Sequence, residues 1–236
     1  MANRPAIGAE GSAEPEGGHE APALGGGSDA AWWSRRALAT FLALAVSTGF
    51  AAANPFLEAL PICTSAGIDM QARENRFLAD GWTKVTLSPR ERRQISDGIT
   101  VQNQPDENTH AEWAARREWA NRLVIDDVDV ILVAKGAVLA RLATQMQTGY
   151  DNCVIYGVQD NETDDLLERL NAAGGMREWG YGFHGTMFAQ TQAEDGSEWR
   201  TEVSLHGIRD AATLPLERAL ETTITATLIT QKVREK

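Results

Sequence analysis

The chain has 236 residues, with 22 Lys and Arg against 33 Asp and Glu and a formal net charge of −11. An acidic surface repels phosphate backbones and anionic lipids, so this charge balance argues against binding to nucleic acid or to a membrane surface. Residues 54–236 suit one soluble domain large enough for a proper core, and no second domain is needed.

Two segments precede this domain. Residues 1–31 are dominated by Gly, Ala, Pro and Glu, a composition typical of a disordered leader. Within residues 32–53, an uncharged and largely apolar run follows Arg35 and Arg36. A basic end, a hydrophobic core and a close of small alanines is the order of a cleavable secretory signal, and cleavage would leave Asn54 as the first residue.

A retained membrane anchor is the alternative interpretation of the same run. A membrane-spanning helix needs about 20 apolar residues, and the uncharged stretch from Ala37 to Leu57 reaches that length only when its polar residues are counted. Trp32 and Trp33 would suit a membrane interface. We expect a periplasmic or secreted protein, or a membrane-anchored one if residues 37–53 stay uncleaved. Both interpretations place the domain outside the cytoplasm.

The two cysteines, Cys63 and Cys153, both fall in this domain. In an oxidising compartment we expect them to form one disulfide, which agrees with export. A reactive free thiol is the alternative, but neither cysteine belongs to a C-x-x-C pair and no neighbouring pattern would lower the pKa of a thiol.

The clearest local signal of structure lies at Ser88-Pro89-Arg90-Glu91. It supplies a helix N-cap, a proline at the first helical position and the glutamate of a capping box. The neighbouring predicted elements are a helical region around 62–77 that ends at Gly81, a strand over 82–87, and a helix over 105–123 that starts at Pro105 and Asp106.

In the second half of the domain, the sequence pattern predicts mainly strands. An apolar, β-branched run over 128–134 is typical of a strand buried on both sides, whereas residues 137–146 fit either a returning strand or a helix. The remaining predicted elements are a turn over 149–152, a strand over 153–158, a helix over 164–173, and strands over 183–190, 199–207 and 222–233.

Between the first two C-terminal strands, Asp195-Gly196 is a hairpin signal, because it supplies the positive φ angles that tight turns need. Helices first and strands last indicate an α+β fold, with helices packed on one face of a mostly antiparallel sheet and a C-terminal β-meander.

A scan for chemistry gives one nominal nucleotide-binding motif, G-x-G-x-x-G at Gly180, Gly182 and Gly185. We reject it, because phosphate binding needs a helix after the motif, and Phe183 and Met187 continue as strand. Neither a zinc-ligand spacing nor a calcium loop is found in the sequence, so no cofactor or metal is predicted.

His184 and His206 each precede a glycine on predicted neighbouring strands. They are the weak catalytic candidates, since they could face each other and, with Asp210, form an acid-base or metal site. Two strand histidines are more often structural or solvated. The favoured function is therefore a non-enzymatic, exported binding domain for an envelope protein or small ligand. The alternative is a small extracytoplasmic hydrolase or metal-dependent enzyme that uses His184 and His206.

Overall fold

A computed structural model describes residues 54–124, 130–145, 150–172, 174–193 and 195–233. The leader over 1–31 and the signal or anchor over 32–53 lie outside the described residues. In the part of the chain that is described, every helix is too short or too polar to cross a membrane.

The described residues form five α-helices and eight strands. The helices are α1 (Pro55–Cys63), α2 (Met70–Ala79), α3 (Pro89–Gln102), α4 (His110–Leu123) and α5 (Asn161–Ala172). The strands are β1 (Thr83–Val85), β2 (Val130–Lys135), β3 (Val138–Gln145), β4 (Tyr150–Gly157), β5 (Met176–Trp179), β6 (Gly182–Gln192), β7 (Glu198–Ile208) and β8 (Ile224–Lys232).

All eight strands belong to one sheet with the order β1-β2-β3-β4-β8-β7-β6-β5. Every neighbouring pair is antiparallel. The sheet consists of two meanders, β1 to β4 and β5 to β8, which join where the C-terminal strand β8 pairs with β4. The predicted α+β class, the mostly antiparallel sheet and the C-terminal meander are confirmed.

Three helices, α1, α2 and α5, pack on the face of the sheet that carries Cys153 and Ile155, which we call the first face. Cys63 at the end of α1 is bonded to Cys153 of β4, with a Cα–Cα distance of 5.7 Å, so the predicted disulfide is confirmed. The bond lies inside the main hydrophobic core. That core includes Phe56, Leu60, Phe77, Leu142, Leu167, Val203 and Leu228.

The opposite side of the sheet, the second face, carries Val154 and Tyr156 and is partly covered by α3. Helix α4 packs against α3. Helix α3 lies directly on β4 at Gly98, where an added Cβ would stand 2.3 Å from Cδ1 of the Tyr156 ring. A larger residue there would hold the helix away from the sheet. Gly98 therefore sets how closely α3 approaches Tyr156, and the helix continues past it to Gln102.

Several local predictions are confirmed and others change. The Ser88 N-cap is confirmed, because its side chain accepts a hydrogen bond from the backbone N–H of Arg90. Helix α4 begins at His110 with Thr109 as its N-cap, a few residues after the predicted start. The short strand β5 was not predicted. The helical region predicted around 62–77 is divided between α1 and α2, with Gly67 at φ +71° between them.

The segment that fitted either a strand or a helix forms β3. Gly136, at φ +61°, turns the chain back after β2, and Val138 then pairs with Lys135. The described part of the predicted turn over 149–152 belongs to β4, where Asn152 pairs with Ala143. Pairing with neighbouring strands thus decides the structure of both segments.

Candidate functional site

The sequence-predicted histidines lie side by side on the second face. His184 of β6 is directly opposite His206 of β7 in the strand register. Their rings are stacked, with centroids 4.5 Å apart and planes inclined by 23°. The edge-on ring of Trp179 contacts both histidines, at centroid distances of 6.2 Å and 5.6 Å. The neighbouring strands β5, β6 and β7 therefore form a cluster of three aromatic rings.

Burial and neighbouring charges lower the pKa of both histidines and favour their uncharged forms at neutral pH. The hydroxyl of Thr186 lies 3.0 Å from Nε2 of His184. Nδ1 of His206 is buried and has no hydrogen-bond partner among the described residues. Burial, and then the neighbouring His184, lower the pKa of His206 to about 4. The pKa of His184 is also lowered, by burial and then by Arg177.

Asp210, the third predicted member of this group, lies outside the pair. It is exposed in the turn after β7, where its backbone carbonyl accepts a hydrogen bond from the Thr213 hydroxyl. Within the described ranges, its side chain has no hydrogen bond or ion pair with either histidine. No cluster of three His, Cys, Asp or Glu side chains suited to a metal occurs in those ranges either. Among the described residues, the histidine pair thus has a hydroxyl neighbour but no acidic one.

The lowered pKa of His206 predicts a pH-dependent stability. Its folded pKa of about 4 lies below the ordinary value of 6.5, so the unfolded chain takes up the proton first as the pH falls. The contribution of neutral His206 to the stability of the fold is therefore complete above pH 6.5 and is lost as the pH falls towards 4. Between pH 6.5 and pH 4, we expect the free energy of unfolding of the wild type to fall by about 1–2 kcal/mol more than that of His206→Gln. This figure allows for solvent screening.

Urea unfolding at pH 7 and at about pH 4 measures this difference. His110→Gln is the matched control, since His110 is exposed on α4, and it should behave as the wild type does. Equal losses in the wild type and in His206→Gln would show that burial of His206 does not resist protonation.

A cavity of about 450 Å³ occupies another part of the second face, between α3, the end of α4 and strands β1 to β4 and β8. More than half of its lining residues are apolar, including Ile95, Ile99, Val124, Leu132 and Val154. Gln102, at the end of α3, also lines the cavity and donates to the hydroxyls of Thr225 and Thr227 at 3.3 Å and 3.1 Å. Thr225 is opposite His206 in the strand register.

Three polar side chains converge in this cavity, and we call Arg141, Asn152 and Tyr156 the polar triplet. Arg141 of β3 is opposite Val154 of β4 in the strand register, so Asn152 and Tyr156 flank it on the same face. Burial raises the pKa of Tyr156 to about 12, although the nearby Arg141 lowers it by its charge and by hydrogen bonding. Tyr156 is therefore a neutral hydroxyl at physiological pH.

Two members of the polar triplet have unused binding capacity. Oδ1 of Asn152 is buried and accepts no hydrogen bond from the described residues. Arg141 has no ion pair with any carboxylate in the described part of the chain. Buried polar groups are normally satisfied, so this corner of the cavity is suited to a polar group from a ligand.

Sequence reasoning missed the polar triplet. It left residues 137–146 undecided and placed Asn152 in a turn, so Arg141 and Asn152 were not assigned to one face. The signal that could have found it is the alternation of side chains along a strand, because side chains two residues apart share a face. Assigning β3 and β4 as paired strands places all three residues on one face.

A second cavity, of about 540 Å³, lies between α5, β5 and β6. Its charged lining includes Glu178 and Arg209, which form an exposed ion pair with each other at 2.8 Å. The charged side chains of this cavity are exposed, whereas those of the polar triplet are half-buried or buried, so the cavity with the polar triplet is the stronger candidate site.

Comparison of the chain with protein-family models, with curated proteins and with solved structures gave no match.

Proposed function

We propose that this chain is an exported, non-enzymatic domain that binds a small molecule in the cavity between α3 and the sheet. The observation that carries the proposal is the polar triplet, which converges in an otherwise largely apolar cavity. Ligand sites are typically concave, mostly apolar and of about 300–1,000 Å³, with a few placed polar groups that orient the ligand.

Export is supported by two features of the chain. Disulfides such as Cys63–Cys153 persist mainly in oxidising compartments outside the cytoplasm. The apolar run behind Arg35 and Arg36 has the order of a secretory signal. The ligand is therefore a molecule of the cell envelope or of the surroundings.

Filling the cavity tests the binding function. Ile99→Trp places a large side chain in the cavity wall, and we expect it to weaken binding of the neutral fluorescent probe phenylnaphthylamine by at least about tenfold, because the probe loses its apolar contacts. Fluorescence titration of the purified protein gives the dissociation constants.

The matched control is Leu78→Trp, which adds the same side chain at an exposed position of α2, outside the cavity lining. It should leave probe binding unchanged. Equal binding by the wild type, Ile99→Trp and Leu78→Trp would mean that the probe binds elsewhere and would remove the support for a ligand site in this cavity.

A further inference from the structure

We propose that the ligand of this cavity is a small apolar acid, whose anionic group binds the guanidinium of Arg141 while its apolar body packs against Ile95 and Ile99. This inference rests on the proposed function and names the chemical class of the ligand.

The charges that line the cavity are unusual for this protein. The chain has 33 acidic and 22 basic residues, yet the described lining of the cavity contains Lys84 and Arg141 and no Asp or Glu. Among the described residues the lining is therefore positive, and a positive lining favours an anionic ligand over a cationic one.

The two cations differ in whether they are free to bind a ligand. Nζ of Lys84 lies 2.8 Å from the buried carboxylate of Glu74, so its charge is already compensated. Arg141 is half-buried, and its described neighbour is the neutral hydroxyl of Tyr156. A partly buried cation without an anion is unfavourable. Arginine also matches planar anions through paired hydrogen bonds, so it is suited to an acidic group.

The third member of the polar triplet, Asn152, indicates a further chemical group on the ligand. Asn152 lies beside Arg141 on the neighbouring strand, and its buried Oδ1 accepts no hydrogen bond from the described residues. A ligand hydroxyl or N–H next to the acidic group would satisfy this oxygen. The geometry therefore favours an apolar acid that carries a hydrogen-bond donor near its anionic end.

Two fluorescent probes of matched shape test the inference. Anilinonaphthalene sulfonate carries an anionic group and an N–H on the same ring skeleton as the neutral phenylnaphthylamine. We expect the wild type to bind the anionic probe about tenfold more tightly, because a hydrogen bond to a charged group has that effect on affinity. Arg141→Met should reduce this preference to about twofold or less, while binding of the neutral probe is retained.

Arg200→Met is the matched control, since it removes the same charge from an exposed arginine of β7, where Arg200 lies over the ring of Phe188 at 4.4 Å. It should keep the full preference. If Arg141→Met does not fold, Arg141→Gln gives the same test, because glutamine retains a donor for Tyr156 but no charge.

The outcomes distinguish this inference from the proposed function. An unchanged preference in the Arg141 variants, or no preference in the wild type, overturns the inference. If the neutral probe still binds and Ile99→Trp still blocks it, the proposed function survives that result. Failure of both probes to bind the wild type overturns both proposals.

Discussion

Replacing Cys63 and Cys153 with alanine should lower the free energy of unfolding by about 4 kcal/mol. The bond closes a loop of 90 residues, and such a cross-link removes much of the conformational freedom of the unfolded chain. It also connects α1 to β4 inside the main hydrophobic core. Urea unfolding of the oxidised wild type and of the double variant measures the difference.

The control is the wild type with its disulfide reduced, which should match the double variant. Alkylation and intact mass of protein recovered from the extracytoplasmic fraction of a bacterial host should show no free thiol before reduction. A stability difference below about 1 kcal/mol would mean that the cross-link does not restrict the unfolded chain as the entropy model requires.

Replacing Asp97 with alanine should lower the free energy of unfolding by about 3–5 kcal/mol. The Asp97 side chain is only 1% exposed, and its carboxylate lies 2.9 Å from Nη2 of Arg117, which is 16% exposed. It also accepts the backbone N–H of Glu221 at 2.8 Å. Asp97 thus joins α3, α4 and the segment before β8, and its loss leaves the partly buried Arg117 without its carboxylate partner.

Glu118→Ala on α4, the helix that carries Arg117, is the matched control. Glu118 pairs with Arg122 at 2.6 Å, but their side chains are 75% and 63% exposed, so we expect a change within about 0.5 kcal/mol. If Asp97→Ala does not fold, Asp97→Asn tests the loss of charge at nearly constant shape. Losses of similar size at Asp97 and at Glu118 would contradict a structural role for the buried pair.

Helix starts and turns that depend on residues close together in the sequence could be predicted from the sequence. The start of α3 depends on Ser88 and Glu91, which are three residues apart and hydrogen-bond to each other. The turn between β6 and β7 depends on Asp195-Gly196, with Gly196 at φ +81°. Once that hairpin is set, its register places His184 opposite His206, so this pairing was also within reach of sequence reasoning.

The candidate cavity could not be predicted in the same way, because distant segments create it. Residues 138–145 have no decisive period of their own, and pairing with both β2 and β4 makes them a strand. Gly98 reads as a weak point of a helix, but in the fold it lets α3 lie against Tyr156. Arg141 and Asn152 become neighbours only through these non-local contacts.

A crystal structure of the protein with anilinonaphthalene sulfonate tests most directly whether this cavity binds an apolar anion. We expect the sulfonate oxygens within hydrogen-bond distance of the Arg141 guanidinium and the rings against Ile95 and Ile99. A probe found on the aromatic cluster of Trp179, His184 and His206, with the cavity free of probe, would contradict both the site and the ligand class.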